Sequence, residues 1–207
     1  MMELNQSVET LPVMEHFYTL QGEGFHQGSA AYFIRLAGCD VGCVWCDVKE
    51  SWDASIHPSY SIDQIIGFVK NAMPNGIVVI TGGEPLMHHL SSLTNALRSE
   101  GYRLHIETSG AHPLSGNWDW ICVSPKKFKS PLPEVIQKAD ELKVVVFNQS
   151  DFDWAEKHAS LTPSSCILFL QPEWDKREKL HASIINYIQQ YPQWRLSLQV
   201  HKYLNIP

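Results

Sequence analysis

The sequence predicts one α/β domain built on a parallel β-sheet. Short apolar segments, most of them rich in β-branched or aromatic residues, alternate with segments in which apolar residues recur at helical spacing. No Ser/Gly linker, charge block or internal repeat interrupts this alternation, and 207 residues suit one core better than two small ones. Helix-length segments between strands favour right-handed crossovers, which make the strands parallel in an open or barrel-like sheet.

Seven strands and five helices are predicted along the chain. The strands lie at residues 31–37, 77–80, 103–107, 120–123, 142–147, 166–170 and 196–200. The first helix follows Ser61, a favourable N-cap residue, and the second ends at Gly101. Their apolar stripes are formed by Ile62, Ile65, Ile66, Val69 and Met73 and by Leu90, Leu93 and Leu97. The later helices are predicted at residues 133–139, 151–158 and 179–190.

Composition and charge exclude several functional classes. Sixteen Lys and Arg against 22 Asp and Glu give a formal charge of -6, the wrong sign for broad binding to phosphate backbones, so we expect no nucleic-acid partner. The apolar runs at 77–80 and 144–147 are far shorter than the ~20 residues that span a bilayer, so we expect no membrane partner. The first seventeen residues include Glu3, Glu9 and Glu15 but no Lys or Arg, which predicts no export signal and a cytoplasmic protein.

Polar or glycine-containing clusters follow five of the predicted strands. They lie at residues 38–47, 81–85, 107–110, 124–127 and 171–174. The carboxyl ends of parallel strands meet at one edge of a sheet, where α/β proteins build their sites. The five clusters therefore predict one shared pocket.

The cysteines indicate a metal centre. Cys39, Cys43 and Cys46 have C-x3-C-x2-C spacing, whereas Cys122 and Cys166 stand alone in apolar segments and are expected to be buried. Five cysteines without an export signal do not suggest a disulfide framework. Three thiolates can hold a 4Fe-4S cluster and leave one iron open. The alternatives are a zinc site, which lacks a second ligand pair, and a redox pair of Cys43 and Cys46, which leaves Cys39 unexplained.

A second motif, Thr81-Gly82-Gly83-Glu84-Pro85, follows the strand predicted at residues 77–80. Alone it is an ordinary strand-to-helix turn, although glycines also let backbone approach a ligand closely. Together with the cysteine spacing it resembles the radical S-adenosylmethionine (SAM) superfamily. That resemblance implies a 4Fe-4S cluster whose open iron binds the methionine moiety of SAM, and a 5′-deoxyadenosyl radical that takes hydrogen from the substrate.

A closer resemblance covers nearly the whole chain from Glu15 to Pro207. The segments at 17–24, 33–39 and 46–52, which read FYTLQGEG, FIRLAGC and CDVKESW, are similar to the 7-carboxy-7-deazaguanine synthase family. The resemblance implies conversion of 6-carboxy-5,6,7,8-tetrahydropterin to 7-carboxy-7-deazaguanine with loss of ammonia, in the queuosine pathway of tRNA modification. It implies an abbreviated, partly open (β/α) barrel with fewer helices than strands, formed as one radical SAM domain over residues 1–207. It also implies a homodimer and a flavodoxin- or ferredoxin-like electron donor.

The resemblance assigns roles to individual residues and no catalytic side chain beyond these ligands. Cys39, Cys43 and Cys46 become the cluster ligands. The positions along SAM are Trp45, Cys46, Asp47, Gly83, Ser124, Pro125, Lys126, Gln171, Pro172, Glu173 and Trp174. The substrate positions are Leu20, Gln21, Gly22, Arg35, Thr81 and Pro207. Two alternatives stay open for Glu107 and Ser109, which either contact SAM through side-chain oxygens or form an ordinary polar turn.

Residue chemistry agrees with two of the substrate positions. Arg35 is a charge in an apolar strand, and its guanidinium suits the carboxylate of the pterin, although the same pattern fits a solvent-facing residue. The free carboxylate of Pro207 suits the N–H-rich pyrimidine edge of a pterin, although chain termini are usually frayed.

One position departs from the family pattern. Many members carry Thr or Ser after the Cys-Asp pair and use its hydroxyl to bind Mg²⁺, whereas this chain has Val48. Mg²⁺ would then bind through substrate oxygens and water, or the metal dependence is lost. Two alternative functions remain at this point: an activase that forms a glycyl radical on a partner protein, and a noncatalytic iron-sulfur or zinc module.

Overall fold

The computed structural model describes residues 9–207, which form a nine-stranded sheet and six α-helices. The strands are β1 Thr10–Leu20, β2 Ala30–Leu36, β3 Ser59–Ser61, β4 Ile77–Gly82, β5 Arg103–Thr108, β6 Trp120–Val123, β7 Glu141–Val146, β8 Ile167–Pro172 and β9 Trp194–Leu196. The helices are α1 Ile62–Ala72, α2 Ser91–Ser99, α3 Pro133–Ile136, α4 Ser150–Ala159, α5 Arg177–Gln190 and α6 Val200–Leu204. The domain predicted over 1–207 includes residues 1–8, which lie outside the described part, and its extent stays a prediction.

The sheet is a partly open barrel. Its strand order is β3-β1-β2-β4-β5-β6-β7-β8-β9, so within residues 9–207 the edge strands β3 and β9 do not pair. β2 and β4 to β9 are parallel neighbours, whereas β1 pairs antiparallel with both β2 and β3. Nine strands against six helices confirm the predicted barrel with fewer helices than strands.

The core lies on both faces of the parallel strands. In β4, Val78 and Ile80 pack toward the helical layer with Leu93 of α2, whereas Val79 packs on the other face with Phe33 of β2. A strand buried on both faces needs a continuous apolar run, as β4 has.

The first helix shows how local sequence sets an element. Ser61 caps α1: its hydroxyl accepts from the Gln64 backbone N–H at 3.2 Å, and the Gln64 side chain accepts from the Ser61 N–H at 2.9 Å. This reciprocal pair of hydrogen bonds is a capping box, which stabilises a helix start by about 1 kcal/mol. The predicted N-cap at Ser61 is confirmed. Among the helices of residues 9–207, none has both the length and the apolar character required to cross a membrane.

Three elements differ from the sequence-based prediction. The strand predicted at 196–200 is wrong: β9 ends at Leu196, and Val200 begins α6. The alternation of apolar and polar residues there resembles a strand, but the Val200 N–H bonds to the Gly22 carbonyl instead of a sheet partner. The antiparallel strands β1 and β3 were not predicted, because Pro12, Glu15 and His16 interrupt the apolar pattern of β1 and β3 has only three residues.

Candidate active site

A cavity of about 270 Å³ opens at the carboxyl edge of the parallel strands. Its wall includes residues from all five clusters that were predicted to share a pocket. The predicted site residues on this wall are Leu20, Gln21, Gly22, Arg35, Cys39, Cys43, Trp45, Cys46, Asp47, Val48, Thr81, Gly83, Glu107, Ser109, Ser124, Lys126, Gln171, Pro172, Glu173, Trp174 and Pro207. Pro125 is the exception, because it lies off the wall and its carbonyl accepts a hydrogen bond from Trp154 Nε1 at 3.3 Å.

The cysteine loop leaves β2 and is anchored at both ends. The Gly38 N–H bonds to the Ser51 carbonyl at 2.6 Å, and the Cys39 N–H bonds to the Trp52 carbonyl at 3.2 Å. A turn closed by the Cys46 N–H on the Cys43 carbonyl at 3.1 Å places these two residues on the same cavity wall as Cys39. All three thiols are free. Burial raises the pKa of Cys39 and that of Cys43, the latter to about 11, so a cation is needed to hold them as thiolates.

The donor set fits an iron-sulfur cluster better than a single metal ion. Within residues 9–207, no three His, Cys, Asp or Glu side chains converge closely enough to hold one ion. A mononuclear zinc site is therefore not preformed. A 4Fe-4S cluster instead distributes its thiolates over separate irons, and three thiols on one cavity wall match that demand while leaving one iron without a protein ligand.

Two glycines allow the end of β4 to pack against the cysteine loop. The Gly83 N–H bonds to the Leu36 carbonyl at 3.0 Å. A Cβ on Gly83 would overlap the Gly38 carbonyl oxygen and lie 2.8 Å from Cys39 Cβ, and a Cβ on Gly82 would overlap the Leu36 carbonyl. Glycine is therefore required for this close approach.

Glu84 ties the ends of β4 and β5 together. It is 1% exposed, and its carboxylate accepts from Thr108 Oγ1 at 2.5 Å and from both Ser109 N at 2.8 Å and Ser109 Oγ at 2.5 Å. The Leu86 N–H adds a fourth bond at 3.0 Å. The Ser109 hydroxyl is thus committed to Glu84, which favours the polar-turn alternative for this residue.

Lys126 lies beside the cysteine loop. Its ammonium donates to Ser124 Oγ at 2.5 Å and lies 5.3 Å from the centre of the Trp45 ring. Burial lowers the pKa of Lys126, and the nearby Cys43 opposes that shift. A cationic side chain next to the cluster position stabilises negative charge there.

The end of β8 forms the opposite wall. Gln171 Oε1 accepts from Ser197 Oγ at 2.7 Å, and the Glu173 carboxylate caps the following 3₁₀ turn through the Asp175 and Lys176 N–H groups, each at 3.2 Å. The Arg177 guanidinium lies 4.1 Å from the centre of the Trp174 ring. The Glu173 carboxylate is therefore occupied within the protein, whereas Trp174 presents an aromatic ring to the cavity.

Two of the predicted substrate positions, Arg35 and Gln21, form side-chain hydrogen bonds at the cavity wall. Arg35 Nε donates to Glu15 Oε1 at 2.6 Å, which leaves the two terminal nitrogens of its guanidinium for a ligand. Gln21 Nε2 donates to Glu107 Oε1 at 2.8 Å. This hydrogen bond joins Glu107 to Gln21, one of the positions that the resemblance assigns to the substrate.

Four polar residues on the cavity wall were missed by the sequence analysis: Glu23, Lys143, Gln199 and His201. The signal for Lys143 was present, because it is a charge in an apolar strand, the same pattern that singled out Arg35. Glu23 lies inside the quoted LQGEG segment. Gln199 and His201 carry no local signal, since they reach the cavity through tertiary contacts of their segment, such as the hydrogen bond from the Val200 N–H to the Gly22 carbonyl.

Comparisons with known proteins agree with this geometry. Residues 33–148 match the model of the Radical SAM superfamily. A 7-carboxy-7-deazaguanine synthase of Flavobacterium psychrophilum is 54% identical to this chain, and the match covers 96% of this chain and 94% of the relative. The 7-carboxy-7-deazaguanine synthase of Synechocystis sp. is 49% identical, and the match covers 94% of this chain and 93% of the relative. The crystal structure of QueE from Escherichia coli superposes with a TM-score of 0.78 at 35% identity, covering 93% of this chain and 95% of that one. The chain belongs to the 7-carboxy-7-deazaguanine synthase family of the radical SAM superfamily.

Proposed function

We propose that the chain converts 6-carboxy-5,6,7,8-tetrahydropterin to 7-carboxy-7-deazaguanine with loss of ammonia, as a step of the queuosine pathway of tRNA modification. One observation carries the proposal: a single cavity brings the three-cysteine loop together with Gln21, Arg35, Thr81 and Pro207. A radical formed near the cysteines would then meet a substrate held by these four residues. Family membership implies the cofactors, a 4Fe-4S cluster and SAM.

The chain's own residues would hold these cofactors in place. When bound, the cluster and SAM supply the one-electron reduction and the radical that removes hydrogen from the substrate. Cys39, Cys43 and Cys46 are the proposed thiolate ligands. Backbone at Gly83 packs against the cysteine loop and lines the cavity, where it is proposed to meet the methionine moiety. The Trp45 and Trp174 rings and the side chains of Ser124, Lys126 and Gln171 form the remaining walls.

The substrate would be held at both ends. The free terminal nitrogens of Arg35 are proposed to bind the pterin carboxylate, with Glu15 fixing the guanidinium plane. The terminal carboxylate of Pro207 is proposed to accept from the pyrimidine edge. Leu20, Gly22 and Thr81 complete the substrate wall.

We propose that Mg²⁺, where it takes part, binds mainly to the substrate. The position that provides a hydroxyl in many relatives is Val48, and the Asp47 carboxylate is engaged by Lys202 at 2.6 Å. Mg²⁺ is therefore proposed to contact mainly the substrate carboxylate and water.

Three further properties belong to the proposal. We propose a homodimer, which analytical ultracentrifugation tests directly. We propose a flavodoxin- or ferredoxin-like protein as the one-electron donor, because the radical step consumes an electron. A cytoplasmic location suits the chemistry, since five free cysteines and an iron-sulfur cluster require a reducing compartment.

The test is anaerobic reconstitution with iron and sulfide, followed by addition of dithionite, SAM and 6-carboxytetrahydropterin, with and without Mg²⁺. Mass spectrometry is expected to detect 7-carboxy-7-deazaguanine and 5′-deoxyadenosine. Cleavage of SAM without that product would discard the substrate and favour the activase. An intact cluster without cleavage would favour a binding module.

Matched cysteine variants test the cluster ligands separately from turnover. Cys43→Ala is expected to lose most of the reconstituted iron and its visible absorbance. Cys166→Ala is the control, because Cys166 lies outside the cavity wall and should retain the wild-type iron content. Equal iron content in both variants would remove Cys43 from the ligand set.

A further inference from the structure

Lys143 is a buried cation on the wall of the cavity. Its neighbours in β7 pack in an apolar cluster, and only 4% of the Lys143 side chain is exposed. Its ammonium pairs with the Glu23 carboxylate and donates to Glu107 Oε2 at 3.2 Å. Because an unpaired charge in this environment would be costly, both carboxylates are needed to keep Lys143 charged.

The pairing also fixes the charge of Glu23. Burial raises the pKa of Glu23, but the charge of Lys143 and its hydrogen bond, together with His201 and the Gln199 amide, outweigh burial and lower that pKa to about 2. The Gln199 amide donates to Glu23 Oε1 at 3.0 Å, and the Gln21 amide donates to Glu107 Oε1. Lys143 thus holds acceptor groups from the β1–β2 loop and from β5 on one side of the cavity.

We propose that Lys143 is a positioning residue that keeps Glu23 and Glu107 ionised and aligned as acceptors for the N–H groups of the pterin pyrimidine ring. The inference rests on the proposed function, since that ring presents N–H donors along one edge. Two carboxylates against one ammonium leave one negative charge in excess. A ring edge that offers only acceptor atoms would place its lone pairs against the oxygens of these carboxylates and be rejected.

The pH dependence of binding separates this role from simple packing. In Lys143→Met, burial raises the pKa of Glu23, so the carboxyl group takes up a proton as the pH falls and stops accepting hydrogen bonds. The other charged and titratable groups that face this cluster are present in both proteins: Glu107, Cys122, Lys126, Glu141 and His201. A difference between the two profiles therefore reports the loss of the ammonium.

The experiment is anaerobic isothermal titration calorimetry of the reconstituted, SAM-bound protein with 6-carboxytetrahydropterin between pH 5.5 and 8.5, without reductant. The Kd of the wild type should vary little with pH, because Glu23 stays ionised. The Kd of Lys143→Met should weaken about ten- to a hundredfold at the acid end, the range for hydrogen bonds to a charged group. Binding should then release a proton, seen as a heat that depends on the buffer. Lys143→Arg should restore the wild-type profile, because it retains the charge.

Further variants keep the inference testable if Lys143→Met does not fold. The double variant Lys143→Gln/Glu23→Gln replaces the ion pair by neutral groups. It should bind the pterin weakly at every pH, and its Kd should be no weaker than that of Glu23→Gln alone. Lys70→Met, which removes an exposed pair with Glu100, is the control and should leave Kd unchanged. Parallel pH profiles for wild type and Lys143→Met would overturn the inference. Absence of pterin binding by the wild type would instead overturn the proposed function.

Discussion

Lys202 of α6 donates to Asp47 of the cysteine loop at 2.6 Å. The same ammonium lies 5.2 Å from the centre of the Trp174 ring, which also meets the Tyr203 ring edge-on at 5.1 Å. Helix α6 therefore contacts both the cysteine loop and the end of β8. The residues that follow α6 reach Pro207, which lies on the cavity wall.

Lys202→Met should impair substrate binding more than stability. The ion pair is partly exposed, so its loss should lower the free energy of unfolding by only about 0.2–1 kcal/mol. Without it, α6 is less constrained, and the KM for the pterin should rise about tenfold with a smaller change in kcat. Steady-state kinetics and urea unfolding measure the two effects. Lys70→Met is the matched control, and an equal KM in the two variants would contradict the prediction.

A tag at the carboxyl terminus should severely reduce turnover. Pro207 lies on the cavity wall, so residues added after it would place bulk there and displace the carboxylate that is proposed to bind the pterin. The three cysteines are unaffected, so the iron content after reconstitution should stay at the wild-type level. The same tag at the amino terminus is the control. Unimpaired turnover of the carboxyl-tagged protein would remove Pro207 from the site.

Sequence patterns predicted the interior of this fold better than its margins. The strands β4 to β8 were found because apolar runs such as residues 77–80 are buried on both faces. β1 was missed and β9 was misplaced, because each is defined by its pairing near an edge of the sheet and not by its own sequence pattern. The Gly22–Val200 hydrogen bond links residues that no local pattern relates.

The candidate site shows the same division. Short-range motifs located the cysteine loop and the Gly82-Gly83 turn, since their spacing along the chain carries the chemistry. Lys143 was overlooked although it carries the same signal as Arg35. Its partners Glu23 and Glu107 come from distant segments, so its role was visible only in three dimensions.

Gly83→Ala should impair loading of the cluster. The new Cβ overlaps the Gly38 carbonyl and approaches Cys39 Cβ to 2.8 Å, so the cysteine loop must move. Iron bound per chain after reconstitution should fall clearly below that of wild type. Gly67→Ala in α1 is the control, because its Cβ would meet no atom within 4 Å and should stabilise the helix by about 0.5–1 kcal/mol. Normal iron content in Gly83→Ala would show that the loop accommodates the methyl group.

Glu84→Gln should destabilise the folded protein although it changes few atoms. The buried carboxylate accepts four hydrogen bonds, from Thr108, from two atoms of Ser109 and from Leu86. An amide nitrogen in place of one oxygen faces these donors and leaves some of them unpaired. The free energy of unfolding should fall by about 2–3 kcal/mol, as expected when buried donors lose a charged acceptor.

Urea denaturation of the metal-free protein, followed by tryptophan fluorescence, measures this loss. Glu100→Gln is the matched control, because Glu100 forms only an exposed pair with Lys70, and its loss should stay below about 1 kcal/mol. The midpoint should shift without a change in slope, since the surface exposed on unfolding is the same. If the two variants lost equal stability, Glu84 would not be the group that joins β4 to β5, and its burial would need another explanation.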